Sequence, residues 1–434
     1  MKIYQNPDIS LTEKILKRPS LKAQDLRSTV RKILEQVRTN GDKALKDFTE
    51  KFDGVTISNL KVSEEEIKVA KNQVSLPLKK AIQTAKTNIT VFHQNQKIDP
   101  PRIETMSGIE CWQKSVAIEK VGFYIPGGTA PLFSSVLMMA VPAQIAGCKE
   151  IVLCTPPQKD GTINPVILYT ASLCGVTQIF KVGGAQAIAA MAFGTEIIPA
   201  VYKIYGPGNQ FVMAAKQLVS QKGIAIDMPA GPSELMVVAD HTAIPSFVAA
   251  DLLSQAEHGK DSQVVLIAFD LDFSKQVLTE METQLAKLPR RDIAKQALEN
   301  SPILILENLE DALKIINEYA PEHLIIAIEK ADAFAEKITN SGSVFIGNYS
   351  PESVGDYASG TNHTLPTNGY ARSYSGLNLD AFVKKITFQK LTSKGLKNIG
   401  ETIELMAEAE ELHAHKEAVS IRLKDINNRN SGKK

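Results

Sequence analysis

The chain has 434 residues, 44% apolar and 22% charged, with a formal net charge of +1. That length can bury more than one core. The balanced charge, the absence of a basic cluster and an aromatic content of 6% argue against nucleic acid and leave a small molecule as the expected partner.

The opening MKIYQNPDIS lacks the apolar core of a signal peptide, and no apolar run approaches the roughly 20 residues of a membrane span. A cytoplasmic protein with no membrane association is expected. Cys111, Cys148, Cys154 and Cys174 show no C-x-x-C spacing, which predicts core packing rather than a disulfide framework or a thiolate zinc cage.

The first hundred residues read as helices with little strand. An apolar series through Val30, Ile33, Leu34, Val37, Leu45 and Phe48 keeps helical spacing, is broken at Asn40-Gly41 and closes at Asp53-Gly54. Ser63 with Glu66 predicts a capping box for the next helix, and His93 closes that run as a surface or core-edge residue. After Trp112 short β-branched runs alternate with helical stretches. Strands are expected at 121–125, 150–155, 177–182, 201–205 and 234–239, then at 263–269, 302–306, 323–328 and 343–347. Their near-continuous apolar character implies parallel sheets covered on both faces, and their number suggests two. Beyond Thr387 no sheet is expected until AVSIRL near the end. A helix spans 393–410 with two apolar stripes, one through Ile399, Ile403 and Met406 and one through Leu405 and Leu412, as if it met a second subunit.

Several stretches can carry chemistry. In SQAEHG, Gln255 and His258 share a helix face before the Gly259 stop, as a pair of zinc ligands or as a capping pair. The long polar loop from Asn348 holds Asp356 and His363, as a functional loop or a flexible lid. Glu322 and His323 follow Pro321 where a helix gives way to a strand, and adjacent carboxylate and imidazole offer two proton acceptors. Three glycine-rich turns, YIPGGTAP, VGGAQAIAA and YGPGNQF, each follow a strand and lead into a helix, where backbone N–H groups suit a phosphate. None fits G-x-G-x-x-G. EELHAHKEA near the C-terminus carries Glu410, His413 and His415.

Together these stretches resemble the histidinol dehydrogenase family. The block IDMPAGPSELMVVADHTAIPSFVAADLLSQAEH is the most specific part, and YIPGG, GGAQAIAA, GPGN, APEHL and GDYASGTNHTLPT occur in the family's order. The resemblance implies an NAD-dependent enzyme that oxidises L-histidinol to L-histidine through L-histidinaldehyde, consuming two NAD with one zinc per subunit. It implies Gln255, His258, Asp356 and His415 as zinc ligands, His323 as general acid/base and Glu322 as the residue that activates water. Ser233, His363 and Glu410 would join the zinc ligands and His323 in contacting substrate, and Tyr124, Gln186 and Asn209 would line the NAD site. The implied fold is α/β, with two incomplete Rossmann-like parallel-sheet domains and helical N-terminal and C-terminal extensions that pack in a homodimer. Its expected divisions are an N-terminal arm (1–22), a first α/β domain (23–120 plus 240–380), an NAD-binding α/β domain (121–239) and a C-terminal dimerisation segment (381–434). Glu410 and His415 would then complete the partner's site. The rival readings are a zinc-dependent hydrolase of a small nitrogenous substrate and a ligand-binding protein without catalysis.

On a straight helix Glu410 and His415 lie about 140° apart, and His413 and His415 about 200°. If Glu410 and His415 serve one site, the helix must stop near 410–412 and HAHKEAVSIRL must leave toward a strand at AVSIRL. Many relatives have glycine after the glutamate; Glu411 stands there in this chain.

Overall fold

The computed structural model describes residues 1–18, 24–98, 100–127, 130–228 and 231–430. Gly128 of the first glycine turn, Pro229 and Ala230 of the signature block, and residues 19–22 of the expected arm lie outside these.

The chain opens with β1 (Lys2–Gln5) and α1 (Ile9–Ile15), then α2 (Gln24–Phe48), α3 (Glu64–Gln73) and α4 (Leu76–Gln94). Gly41, at φ +52°, kinks α2 at the expected break. Ser63 and Glu66 form the capping box at the start of α3, each side chain accepting from the other's backbone N–H. After β2 (Ile103–Met106) and β3 (Ile109–Ala117), strands and helices alternate. They are β4 (Lys120–Tyr124), α5 (Phe133–Ala146), β5 (Glu150–Thr155), α6 (Pro165–Leu173), β6 (Gln178–Lys181), α7 (Gly184–Phe193), β7 (Lys203–Tyr205), α8 (Gln210–Ser220) and β8 (Ala225–Ile226). The second series is β9 (Glu234–Ala239), α9 (Pro245–Ala256), β10 (Gln263–Ala268), α10 (Leu271–Leu285), α11 (Arg291–Glu299) and β11 (Pro302–Ile305). It continues with α12 (Leu309–Tyr319), β12 (His323–Ala327), α13 (Ala331–Ala335), β13 (Ser343–Ile346) and α14 (Glu352–Tyr357). The chain ends with β14 (Val383–Leu391), α15 (Ser393–Ala409) and α16 (His413–Asn430).

Two compact units result. One holds Met1–Gln96 with Ile118–Phe382, the other Lys97–Ala117 with Val383–Lys434. The first contains two parallel sheets, ordered β6-β5-β4-β7-β8 and β1-β11-β10-β9-β12-β13. All six residues of β9 and all six of β10 are buried, as strands covered on both faces require.

Sheet membership differs from the expected divisions in two places. β9 pairs with β10 and β12, so the change of sheet falls before Glu234 rather than at residue 239. The N-terminal helices join the five-stranded sheet, not the six-stranded one. α2 packs on α7 and α8, and its Val30, Val37 and Leu45 share a core with Val152, Phe180 and Ile204. Strand pairing and helix docking are non-local choices, which apolar periodicity within one segment does not encode. β1 adds a parallel edge strand in a region expected to hold little strand. His93 is fully buried, its Nδ1–H donating to the Ile89 carbonyl at 2.8 Å, rather than at the surface.

In the second unit β14 pairs antiparallel with β3 along nine residues, where no sheet was expected beyond Thr387. Phe388 stands opposite Trp112, the rings stacked at 5.4 Å, and the Arg102 guanidinium lies over Trp112. α15 ends at Ala409, and Glu411 takes a left-handed φ of +58°. The Leu412 N–H bonds to the Ala407 carbonyl and the Glu411 N–H to that of Glu408, the Schellman pattern, so the expected stop is present without glycine. AVSIRL, expected as a strand, is helix within α16. Its Leu423 packs on Gly400 and its Ser420 bonds to Glu404, so the segment folds back on α15 as an antiparallel helical pair. Among the described residues no helix is long and apolar enough to cross a membrane.

Candidate active site

Each crossover helix of a parallel sheet runs back against its strand, so its C-terminal end lies at the sheet's amino edge. The end of α9 therefore brings Gln255 and His258 to the edge where β9 begins with Glu234 and β12 begins with His323. Ser233 stands immediately before β9, its carbonyl accepting from the Gln263 N–H. The loop after β13 contributes the rest. It is not structureless: α14 forms inside it and carries Glu352 and Asp356, four residues apart and so on one face.

The main chain of Glu234 organises the acid and the imidazole. Its N–H donates to Glu322 Oε2 at 2.8 Å, and its carbonyl accepts from His323 Nδ1 at 3.2 Å. A carbonyl can only accept, so Nδ1 carries the proton and Nε2 holds the free lone pair, 3.8 Å from Asp356 Oδ1. Burial lowers the His323 pKa to about 4, leaving the ring neutral, so its 3.6 Å approach to Glu322 is not an ion pair. His363 is fixed likewise, Nδ1–H donating to the Asp356 carbonyl at 2.9 Å and Nε2 accepting from Ser135 Oγ at 3.1 Å.

The Gln255 amide satisfies its surroundings when its nitrogen donates to the Glu352 carboxylate and its oxygen accepts the Glu234 N–H at 3.1 Å. With oxygen and nitrogen exchanged, only a 3.5 Å contact to Glu322 remains, so the first orientation is the physical one for a side chain 1% exposed. Glu352, equally buried, also accepts from Ser254 Oγ at 3.1 Å.

Acids crowd this edge. Burial pushes Glu322 well above the usual carboxylate range, with Glu234, Glu352 and Asp356 adding to the rise against the Glu234 N–H. Burial, then Asp356 and Asp251, does the same to Glu352, and burial pushes Asp251 up to about 7. Buried carboxyls held this close are relieved by a cation. His258, Glu352 and Asp356 each present a ligand atom, all within 4.8 Å of one another, and with the Gln255 amide alongside this nitrogen-and-oxygen donor set fits zinc. Glu352 was not singled out from the sequence; its signal was the four-residue spacing to Asp356. Glu410 and His415 belong to the other unit, Glu410 capping α15 and His415 exposed in the first turn of α16.

Arg18, from the expected N-terminal arm, was also missed. Its Nε and a terminal nitrogen donate to both Glu234 oxygens at 2.5 and 2.9 Å, its guanidinium stacks on Tyr319, and the Asn368 N–H joins at 2.8 Å. The Glu234 side chain is 3% exposed, so Arg18→Met strands a buried carboxylate. Loss of about 3–5 kcal/mol is expected in urea unfolding, and a loss below about 1 kcal/mol would show the pair to be dispensable.

The three glycine turns meet at the carboxyl edge of the five-stranded sheet. Tyr124, ending β4, accepts the Gly184 N–H on its phenol oxygen at 3.0 Å, and burial pushes its pKa up to about 12. Gly206, at φ +128°, packs against the Tyr124 carbonyl so closely that a Cβ would collide with it. Gln186 is buried in the first turn of α7, and Asn209 caps α8, accepting from the Phe211 and Val212 N–H groups. Tyr124, Gln186 and Asn209 are thus brought to one edge, beside two helix N-termini.

A family model described as histidinol dehydrogenase matches residues 16–423. The chain is 58% identical to a histidinol dehydrogenase of Bacteroides thetaiotaomicron over 98% of its own length and 100% of the relative's. It is 52% identical to that of Escherichia coli O6:H1, covering 94% of each. A crystal structure of histidinol dehydrogenase from Elizabethkingia anophelis superposes with a TM-score of 0.97 at 57% identity, covering 98% of this chain and 99% of that one. A match this complete includes every element that builds both edges, and the chain belongs to the histidinol dehydrogenase family.

Proposed function

We propose that this chain works in the cytoplasm as a homodimer and oxidises L-histidinol to L-histidine through L-histidinaldehyde, passing two hydrides to NAD with one zinc ion per subunit. The observation that carries the reading is the meeting of Gln255, His258, Asp356, Glu322 and His323 at one sheet edge in a chain of this family. Bound zinc supplies a fixed positive charge that anchors the nitrogens of the substrate. Gln255, His258, Asp356 and His415 hold it.

His323 Nε2 takes the alcohol proton as hydride leaves the carbon, giving the aldehyde. Glu322 deprotonates a water that adds to this carbon while His323 returns its proton to the carbonyl oxygen, and the freed His323 then takes a proton of the resulting diol as the second hydride leaves. Ser233, His363 and Glu410 contact the substrate. Tyr124, Gln186 and Asn209 line the NAD site, and both sheets support the Rossmann-like reading. In each, the first strand of its series lies centrally, the second and third follow on one side, and the fourth and fifth lie on the other.

Zinc-loaded protein given L-histidinol and excess NAD is expected to form two NADH per histidinol, followed at the absorbance of the reduced cofactor. A yield near one would remove the second oxidation, and none would favour the hydrolase.

Sharing of sites between subunits is supported by the exposure of His415 and of Leu405, Met406 and Leu412 beside it. His323→Asn and His415→Asn homodimers, each inactive, should on mixing and subunit exchange regain roughly a quarter of the activity, because half the subunits pair as heterodimers with one intact site. No recovery despite proven exchange would place His415 in its own chain's site.

A further inference from the structure

A buried ion pair between α8 and the residue after β8 has no part in the chemistry above. Lys216 and Asp227 form a salt bridge with side chains 1% and 2% exposed. Both close on one residue of the third glycine turn. Lys216 Nζ donates to the Gly206 carbonyl at 2.9 Å, and Asp227 Oδ2 accepts the Gly206 N–H at 2.8 Å. Both main-chain groups of a single glycine are therefore held by opposite charges out of contact with water. Asp227 is placed for this because its own N–H bonds to the Ile204 carbonyl, which extends the pairing of β7 with β8.

A salt bridge buried only for stability is a poor device, because well-packed apolar residues of the same volume serve as well or better. What this pair supplies is position. Gly206 presses on the Tyr124 carbonyl and leads directly to Asn209 and the start of α8. We propose that Lys216 and Asp227 are positioning residues for the cofactor, holding the 206–209 turn where its backbone meets the phosphates of NAD. This rests on the reading of Tyr124 and Asn209 as cofactor-binding.

The test uses the zinc-loaded full chain with NAD and L-histidinol. Lys216→Met alone should lower the thermal midpoint, because it leaves Asp227 charged and unpaired. The double variant Lys216→Met with Asp227→Leu should recover the midpoint yet keep a KM for NAD raised at least about tenfold, as expected for a displaced binding loop, with kcat and the KM for L-histidinol nearly unchanged. A recovered midpoint together with an unaltered KM for NAD would overturn the proposal. Should the double variant not fold, Asp227→Asn and Asp227→Ala decide at a temperature below both midpoints. Both leave Lys216 unpaired, but only asparagine keeps an oxygen for the Gly206 N–H, so only alanine should raise the KM for NAD strongly. Equal values would again overturn it. Asn209→Ala separates the two levels. If it leaves the KM for NAD unaltered, the turn is not the cofactor site and the inference falls with that reading. If it raises the KM while the double variant does not, the positioning role alone fails.

Discussion

Replacing His323 with asparagine is expected to lower kcat by about 10²–10⁴-fold while zinc stays bound and the unfolding midpoint moves little. Asparagine is smaller than histidine and keeps an N–H for the Glu234 carbonyl, now met by His323 Nδ1 at 3.2 Å. It has no basic nitrogen in place of Nε2, so what is lost is the proton acceptor rather than the scaffold. Zinc by mass spectrometry and kcat on the same sample check it. Loss of zinc would make His323 a ligand, and kcat within tenfold of the parent would remove it from proton transfer.

The second large effect is expected from His258→Asn. His258 is the one imidazole in the cluster that also gathers Glu352, Asp356 and the Gln255 amide, and it is exposed in the isolated chain, so its removal costs little packing. Zinc affinity should fall by more than about 100-fold, beyond the 10–100-fold typical of residues that only orient a ligand, and added zinc should restore part of the activity. Glu352→Gln makes the comparison: by its hydrogen bond to the Gln255 amide it should fall within that smaller range. Unchanged zinc affinity in His258→Asn would place the metal elsewhere.

Features governed by neighbours in sequence were legible before the structure. The Gly41 kink, the Ser63–Glu66 box, the buried strands and the stop at Glu411 each depend on residues within a few positions of one another. What depended on remote partners was not. Residues 383–391 mix apolar and polar side chains on a ribbon exposed along most of its length, and the remote pairing with β3, Phe388 opposite Trp112, makes them a strand. AVSIRL alternates as a strand would, and becomes helix because Leu423 finds Gly400. Glu322 and His323 stood out as a dipeptide, whereas Glu352 carried only its four-residue spacing to Asp356 and Arg18 no local mark. Arg18 finds its role through Glu234, 216 positions away. The strand–turn–helix pattern, with backbone N–H groups at a helix start, led to the glycine turns. Glu322 and His323 lie at the opposite, amino edge of the other sheet, where the helix ends converge.

The parallel pairing of β1 with β11 has a consequence for the order in which a growing chain can assemble. Lys2–Gln5 leaves the ribosome some 300 residues ahead of its partner Pro302–Ile305. At translation rates of about 5–20 residues per second that is a wait of roughly 15–60 s, while α2, α3 and α4 can settle on the five-stranded sheet as soon as residue 226 has emerged. Arg18 is tethered behind this waiting strand, so Glu234 is synthesised before the amino end that neutralises it can be locked in place. This strand is made long before it can dock, and folding of the nascent protein does not simply follow the order of synthesis.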